Sequence, residues 1–420
     1  MQRSTNCFAD VIWTVATVGL TLVAGCGVGT GGSGNPGVVG DTIAIGILSP
    51  LSDAVAVIGK PIAAGLQAYA RQLNDAGGIG GKYLLKVIEE DITYANPSTG
   101  AQKYQKVKSD VAMLTVLGTD QVKGLLPLLE EDSIIVIPTT YDVEWVRERF
   151  LLPWGAPYQV WAINGVAYFR EQPGNASRRI CSLVLATGYG EAAAQGLDFA
   201  ATALGFEIAV RATFRQDDQD FVAPITQLKN AGCEAVVLAS LPGVTGKVLG
   251  AAAQLGFEPR WIAQGPSWHQ SLVKSSLVDY YEKNLWMVIQ GREWGDSTVA
   301  GMRALVDAVA KYGASSQEPD VYITVGYLLG RTAQAVIEEA IRLGDLSRAG
   351  ILRATETVVV RYDGLWPEYR YGAVEAREPP RTASIFRIDR TKPFGATPVA
   401  IDYETPAARA FPIPATPARH

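Results

Sequence analysis

From Asp41 onward, short apolar runs alternate with longer segments whose apolar residues recur every three or four positions. The run Thr42–Leu48, TIAIGIL, predicts a buried strand. Residues 60–78 predict a helix with Ile62, Leu66, Tyr69, Ala70 and Leu73 on one face, stopped at Gly77-Gly78. A strand over 83–91 and a helix over 97–109 follow, with Pro97 in the first helical turn. Then come a strand over 112–118, a helix over 123–132 and a strand over 133–138. This order implies a parallel sheet with helices on both faces.

The rhythm restarts after LPWGAPYQVW, residues 152–161. Strands are expected at Ile180–Leu185, Glu207–Thr213, Ala235–Ala239, Trp261–Ala263 and Trp286–Ile289, with helices such as Glu191–Leu204 and Ala223–Ala231 between them. Late helices are expected at Thr298–Tyr312 and Val321–Leu343, then two β-prone runs, TVVVRY and ASIFRI. The expected fold class is α/β, with two doubly wound parallel-sheet lobes. The first lobe takes 41–155 plus 292–360, the second 156–291 plus 361–400, and a Pro/Ala-rich tail 401–420. A cleft between two such lobes, at the carboxyl ends of the strands, is the expected place for a ligand.

The chain before Asp41 has a different character. The apolar run Val11–Ala24 is 14 residues long, short of the roughly 20 that span a bilayer. It suits a secretory signal over 1–25, with Arg3 in its charged start. The run ends in VAGC at Cys26, and a Gly-rich tether fills 26–40. Gly27, Gly29 and Gly32 fit G-x-G-x-x-G, but no strand precedes them within a folded unit, so they are tether composition.

Composition narrows the chemistry. The 420 residues carry a formal net charge of -5 and no basic patch, which argues against a nucleic-acid partner. The two histidines, His269 and His420, leave little from which to build a zinc site or a Ser-His-Asp triad. G-x-S-x-G, C-x-x-C and P-loop patterns are absent. No enzyme, metal or cofactor is expected. Cys181 opens the first strand of the second lobe and Cys233 precedes the third. Those strands are neighbours in a 2-1-3-4-5 order. A disulfide between the two cysteines is one reading, and two small buried thiols the other.

VAGC resembles the lipobox of bacterial lipoproteins, which implies a lipid on Cys26 and attachment to the outer face of the cytoplasmic membrane. An ordinary signal peptide with a chance cysteine is the alternative. The body resembles the leucine/isoleucine/valine-binding type of ABC-transporter substrate-binding protein, a type I periplasmic-binding fold. The resemblance rests on IGILSPLS, IGKPIAAGLQAYARQLNDAGGIGGK, EEDITYANP, VLGTDQVKGLLPLLEEDSIIVIPTT and TGYGEAAAQGLDFAATALGFEI, and covers roughly Asp41–Leu343. It implies a monomer that closes its lobes on a small polar solute without chemistry and delivers it to ABC permease subunits. The membrane is met through the lipid anchor alone.

Residue by residue, the resemblance implies a carboxylate grip at Thr119, Asp120 and Gln121 and at Thr139, Thr140 and Tyr141, with Ser52 also near the cleft. Thr119 and Thr139 are alternatively caps of helices or turns. In the second lobe the matching positions are Tyr189, as a cover over the ligand, Ser240 with Leu241, and Ser267 beside Trp268 and His269. Packing on the hinge is the alternative for Tyr189, and surface or helix packing for Trp268. Relatives that bind α-amino acids usually carry an acid near the Ser267 position; AQGPSWHQ has none. An ammonium buried there without a partner is costly. Either Asp120 supplies the charge from the other lobe, or the ligand is an amide, a polyol or an aromatic carboxylate. A ligand-sensing module serving a signalling partner would have the same fold.

Overall fold

The computed structural model describes residues 35–292, 294–313, 318 and 320–415. The export segment, Cys26 and most of the tether lie outside the described residues.

The first sheet is built from β1 (Val38–Val39), β2 (Thr42–Ser49), β3 (Leu84–Asp91), β4 (Met113–Leu117) and β5 (Ile135–Thr139), with helices α1 (Ala56–Asp75), α2 (Pro97–Val107) and α3 (Thr119–Asp132) between successive strands from β2 on. β3, β2, β4 and β5 run parallel in that spatial order, and β1 adds antiparallel to β2. Every residue of β4 and β5 is buried. Covered on both faces, such strands read as unbroken apolar runs rather than as alternation.

The second sheet follows α4 (Tyr158–Glu171). Its strands are β6 (Ile180–Leu185), β7 (Ile208–Phe214), β8 (Ala235–Ala239), β9 (Arg260–Gln264) and β10 (Leu285–Ile289), and its helices α5 (Gly188–Leu204), α6 (Val222–Asn230), α7 (Pro242–Gln254) and α8 (Val278–Asn284). The chain then adds α9 (Ala300–Tyr312), α10 (Val321–Arg342), α11 (Arg348–Ala354), β11 (Val359–Val360), β12 (Tyr369–Arg370), β13 (Ala383–Ile388), β14 (Ala396–Tyr403) and α12 (Pro406–Ala410). β7, β6, β8, β9 and β10 are parallel in the doubly wound order; β13 and β14 extend the sheet antiparallel. α9 and α10 leave the second sheet to pack on α1 of the first lobe, and α11 reaches β5 before β13 returns. The chain thus crosses between lobes three times, after β5, after β10 and before β13.

Close approach of α1 and α10 fixes the late helices on the first lobe. A Cβ on Gly326 would sit 1.9 Å from the Ile62 carbonyl oxygen, and one on Gly65 would sit 2.1 Å from that of Ile323. Both contacts are to backbone, which has no rotamer to yield. Gly326→Val is expected to destabilise the first lobe by about 3 kcal/mol, read by calorimetry as a lowered melting temperature of the transition that includes it.

The structure moves several expected boundaries. The tether does not reach 40, because Gly37 (φ +74°) turns into β1 and its carbonyl accepts the Ala44 N–H at 2.7 Å. Residues 401–410 are not a separate tail. β14 runs to Tyr403 in the second sheet, and α12 packs on α4 and α5. TVVVRY contributes only the two-residue β11. α4, absent from the sequence reading, is buried at eleven of fourteen positions, so it carries no polar stripe to reveal its period. Cys181 and Cys233 form a disulfide with 5.9 Å between Cα atoms.

Candidate functional site

The facing strand ends of the two lobes enclose a cavity of about 570 Å³, its open margin included. From the first lobe come Val55, Ile58 and Ile62 beyond β2, Tyr94 beyond β3, Leu117 and Gly118 at the end of β4, and Thr139, Thr140 and Tyr141 at the end of β5. α4 supplies Tyr158 and Trp161 from the crossing. The second lobe adds Tyr189 in the first turn of α5, Leu241 after β8, Gly265 and Pro266 after β9, and Ile289 closing β10. Tyr322 and Val325 arrive on α10.

This lining contains no Asp, Glu, Lys, Arg or His. Its polarity is hydroxyl and indole. Burial pushes the hydroxyls of Tyr94, Tyr141, Tyr158, Tyr189 and Tyr322 above the usual tyrosine range, so all remain O–H donors. Tyr158 stands 4.6 Å from Tyr189 and 5.6 Å from Tyr141 between ring centroids, and Tyr141 lies 5.1 Å from Trp161. The aromatic cluster therefore spans both lobes.

Two donors in it have no acceptor, Tyr141 Oη and Trp161 Nε1, and a third, Tyr189 Oη, has only the Ser267 hydroxyl beside it. Ser267 Oγ also accepts the Ser240 N–H at 2.9 Å, so Tyr189 shares that oxygen with a backbone donor. Unpaired buried donors are costly, about 1–3 kcal/mol each. Converging on one cavity, they suit an acceptor brought in by a ligand.

The other expected site residues divide. Thr139 and Thr140 line the cavity, but their hydroxyls pair with Thr115 at 2.8 Å and Thr119 at 2.6 Å. Thr119 opens α3 and is buried behind Thr140. Gln121 is turned away, its amide donating to the Thr93 and Tyr94 carbonyls at 2.8 and 3.2 Å. Ser52 is exposed and hydrogen-bonded to Asp91; Val55 takes its place in the wall. Ser240 and Ser267 bond each other behind Leu241 and Pro266, and Trp268 lines a different cavity.

Asp120 does not line the central cavity. It lines a wider, solvent-open cleft outside the central cavity, together with Arg215, Asp217 and Lys247. Its Oδ1 accepts the Gly188 N–H at 3.1 Å, at the N-terminus of α5, where a carboxylate also meets the positive end of the helix. Asp120 is a first-lobe residue and Gly188 a second-lobe one, so this bond ties the lobes together. Asp120→Ala is expected to raise ligand dissociation about tenfold or more, with little change in association. Stopped-flow with the two rates separated checks this; unchanged dissociation would remove the tie.

Tyr94, Tyr158, Trp161 and Tyr322 are the aromatic lining residues that sequence reasoning missed. Tyr94 stood in the quoted strand end EEDITYANP, and Tyr158 with Trp161 in the crossing PYQVW. An aromatic in an apolar run is indistinguishable from core until the cavity is seen.

Two parallel α/β lobes, joined by three crossings and facing each other across a cavity at their strand ends, make a type I periplasmic-binding fold. A family model described as "Periplasmic binding protein" matches residues 42–393, and the chain belongs to that family. It is 25% identical over 228 residues to the leucine-, isoleucine-, valine-, threonine- and alanine-binding protein of Pseudomonas aeruginosa; the match covers 53% of this chain and 60% of that protein. Among solved structures, it superposes with a TM-score of 0.83 on a fatty acid ABC transporter substrate-binding protein from Thermomonospora curvata, at 21% identity, covering 91% of this chain and 97% of the other. A branched-chain amino acid ABC transporter protein from Thermus thermophilus with bound valine superposes at 0.73 and 17% identity, covering 89% of this chain and 99% of the other. No helix among the described residues is long and apolar enough to cross a membrane, and no cluster of His, Cys, Asp or Glu there suits a metal.

Proposed function

We propose that this chain is the extracytoplasmic receptor of an ABC importer, and that it captures a small carboxylate with an apolar or aromatic body. The single observation that carries the ligand class is the trio of buried donors, Tyr141 and Trp161 unpaired and Tyr189 sharing Ser267, in a cavity whose lining has no acid. A carboxylate fills those donors. An α-amino acid would add an ammonium with no partner, at a cost well above that of an unpaired neutral group. The receptor role is supported by the family and by the named relatives from Pseudomonas aeruginosa and Thermomonospora curvata. The solute leaves chemically unchanged, and the permease subunits of the importer are the partner.

Matched pairs test the ligand class. In isothermal calorimetry, 4-methylpentanoate is expected to bind at least about tenfold tighter than leucine, and 3-phenylpropanoate than phenylalanine. The reverse order in both pairs would overturn the reading. The donors carry no charge that titrates near neutrality, so the preference should hold from mildly acidic to mildly alkaline pH.

Anchoring through a lipid on Cys26 completes the reading; it is supported by the apolar run that ends in VAGC. A single acyl chain holds a protein only marginally, whereas a diacylglycerol supplies two. Metabolic labelling with an alkyne fatty acid is expected to tag the wild-type protein and to spare Cys26→Ser. Equal labelling of both would dismiss the anchor.

A further inference from the structure

Next to the central cavity lies a second, of about 440 Å³ with its open margin, walled chiefly by Trp268, Met287, Trp294, Phe386, Phe394 and Ala396. Ile289 and Tyr322 line both cavities, so the two are neighbours with these side chains between them. Ile289 ends β10, and its side chain occupies space that Gly265 leaves free: a Cβ on that glycine would be 2.7 Å from Ile289 Cδ1. Tyr322 stands in the first turn of α10 and donates its hydroxyl to the Trp268 carbonyl at 2.6 Å.

The charged groups of this inner chamber are satisfied by one another and by the backbone. Asp320 accepts the Tyr322 and Ile323 N–H groups at 2.8 and 2.9 Å and lies 3.3 Å from His269 Nε2. Arg292 donates to Asp402 at 2.7 Å. What remains open is aromatic and aliphatic wall, plus the Gln270 side-chain oxygen, buried without a donor. Such a surface offers nothing to a second ion and much to a hydrocarbon chain.

We propose that the inner chamber receives the distal apolar segment of the ligand whose carboxylate meets Tyr141, Tyr189 and Trp161. The substrate class is then elongated monocarboxylates with aliphatic tails. This rests on the reading of the central cavity as a carboxylate site. The tail passes between the cavities by rotamer changes of Ile289 and Tyr322, without movement of either sheet.

The test is a calorimetric series of straight-chain acids, from butanoate to hexadecanoate, on the purified protein. Affinity is expected to tighten about fourfold per methylene while the tail is being buried. In the wild type this rise continues to longer acids than in Ala396→Phe, which fills the inner chamber. Trp294→Ala, which removes a wall, is expected to weaken long acids selectively. Short acids serve as the folding control: each variant must bind them as the wild type does. A rise that ends at the same chain length in wild type and Ala396→Phe overturns the inner chamber and leaves the carboxylate reading standing. Failure of every acid to bind overturns both.

Discussion

Tyr141→Phe and Tyr189→Phe, combined, are expected to weaken a bound carboxylate by about two to three orders of magnitude while leaving the unliganded protein as stable or more so. The two effects have opposite signs for one reason. Both hydroxyls are buried; that of Tyr141 has no partner within the protein, and that of Tyr189 has only its share of Ser267. Without ligand, removing the Tyr141 hydroxyl deletes an unpaired polar group, a relief of about 1 kcal/mol or more, and removing that of Tyr189 is close to neutral. With ligand, each hydroxyl makes a hydrogen bond to an ionised acceptor, worth about 1.5–3 kcal/mol. The rings stay, so the contacts among Tyr141, Trp154, Tyr158 and Trp161 are kept. Melting temperature without ligand and calorimetric affinity with it are the two readouts. A variant that loses stability and keeps affinity would mean that the hydroxyls serve the fold and that the ligand sits elsewhere.

The same residues mark where sequence reading succeeds and where it stops. Strands such as Ile180–Leu185 and Ala235–Ala239 match the structure at both ends. They are short apolar runs bounded by polar or glycine-containing turns, and burial on both faces makes that pattern unambiguous. α4 was lost for the converse reason: a helix buried nearly all round has no period to detect. At the site, the loops were legible and the directions of their side chains were not. Ser240 and Ser267 stand next to Leu241 and Pro266, yet only the latter two line the cavity. Which neighbour faces inward depends on the turn after each strand, and that is set by packing rather than by residue type. Asp120 was read as a ligand group because its loop, GTDQ, resembles the family's carboxylate grip and because AQGPSWHQ has no acid of its own. Its geometry gives it to the N-terminus of α5 instead. The charge-free aromatic lining follows from no motif at all.

Loss of the Cys181–Cys233 disulfide is expected to cost about 4 kcal/mol of stability and almost nothing in affinity. The bond closes a sequence separation of 52 residues, and a loop of that size gives roughly 4 kcal/mol in the chain-entropy model. It joins the start of β6 to the residue two before β8, and those strands are adjacent in the second sheet. Both cysteines are buried, Cys181 fully and Cys233 at 4% exposure, so alanine is a better replacement than serine: it leaves no hydroxyl to satisfy. Since the chain has two lobes, unfolding need not be two-state. Differential scanning calorimetry of the Cys181→Ala/Cys233→Ala variant should therefore lower the transition that includes the second lobe. Affinity is spared because the bond lies at the opposite end of the sheet from the site. Tyr189, Leu241 and Gly265 follow the carboxyl ends of β6, β8 and β9, whereas Cys181 and Cys233 stand at the amino ends of β6 and β8. Equal melting of the variant and the wild type would remove the disulfide from the stability account. Lost affinity in a variant still folded at the assay temperature would show that strain at one end of the sheet reaches the other.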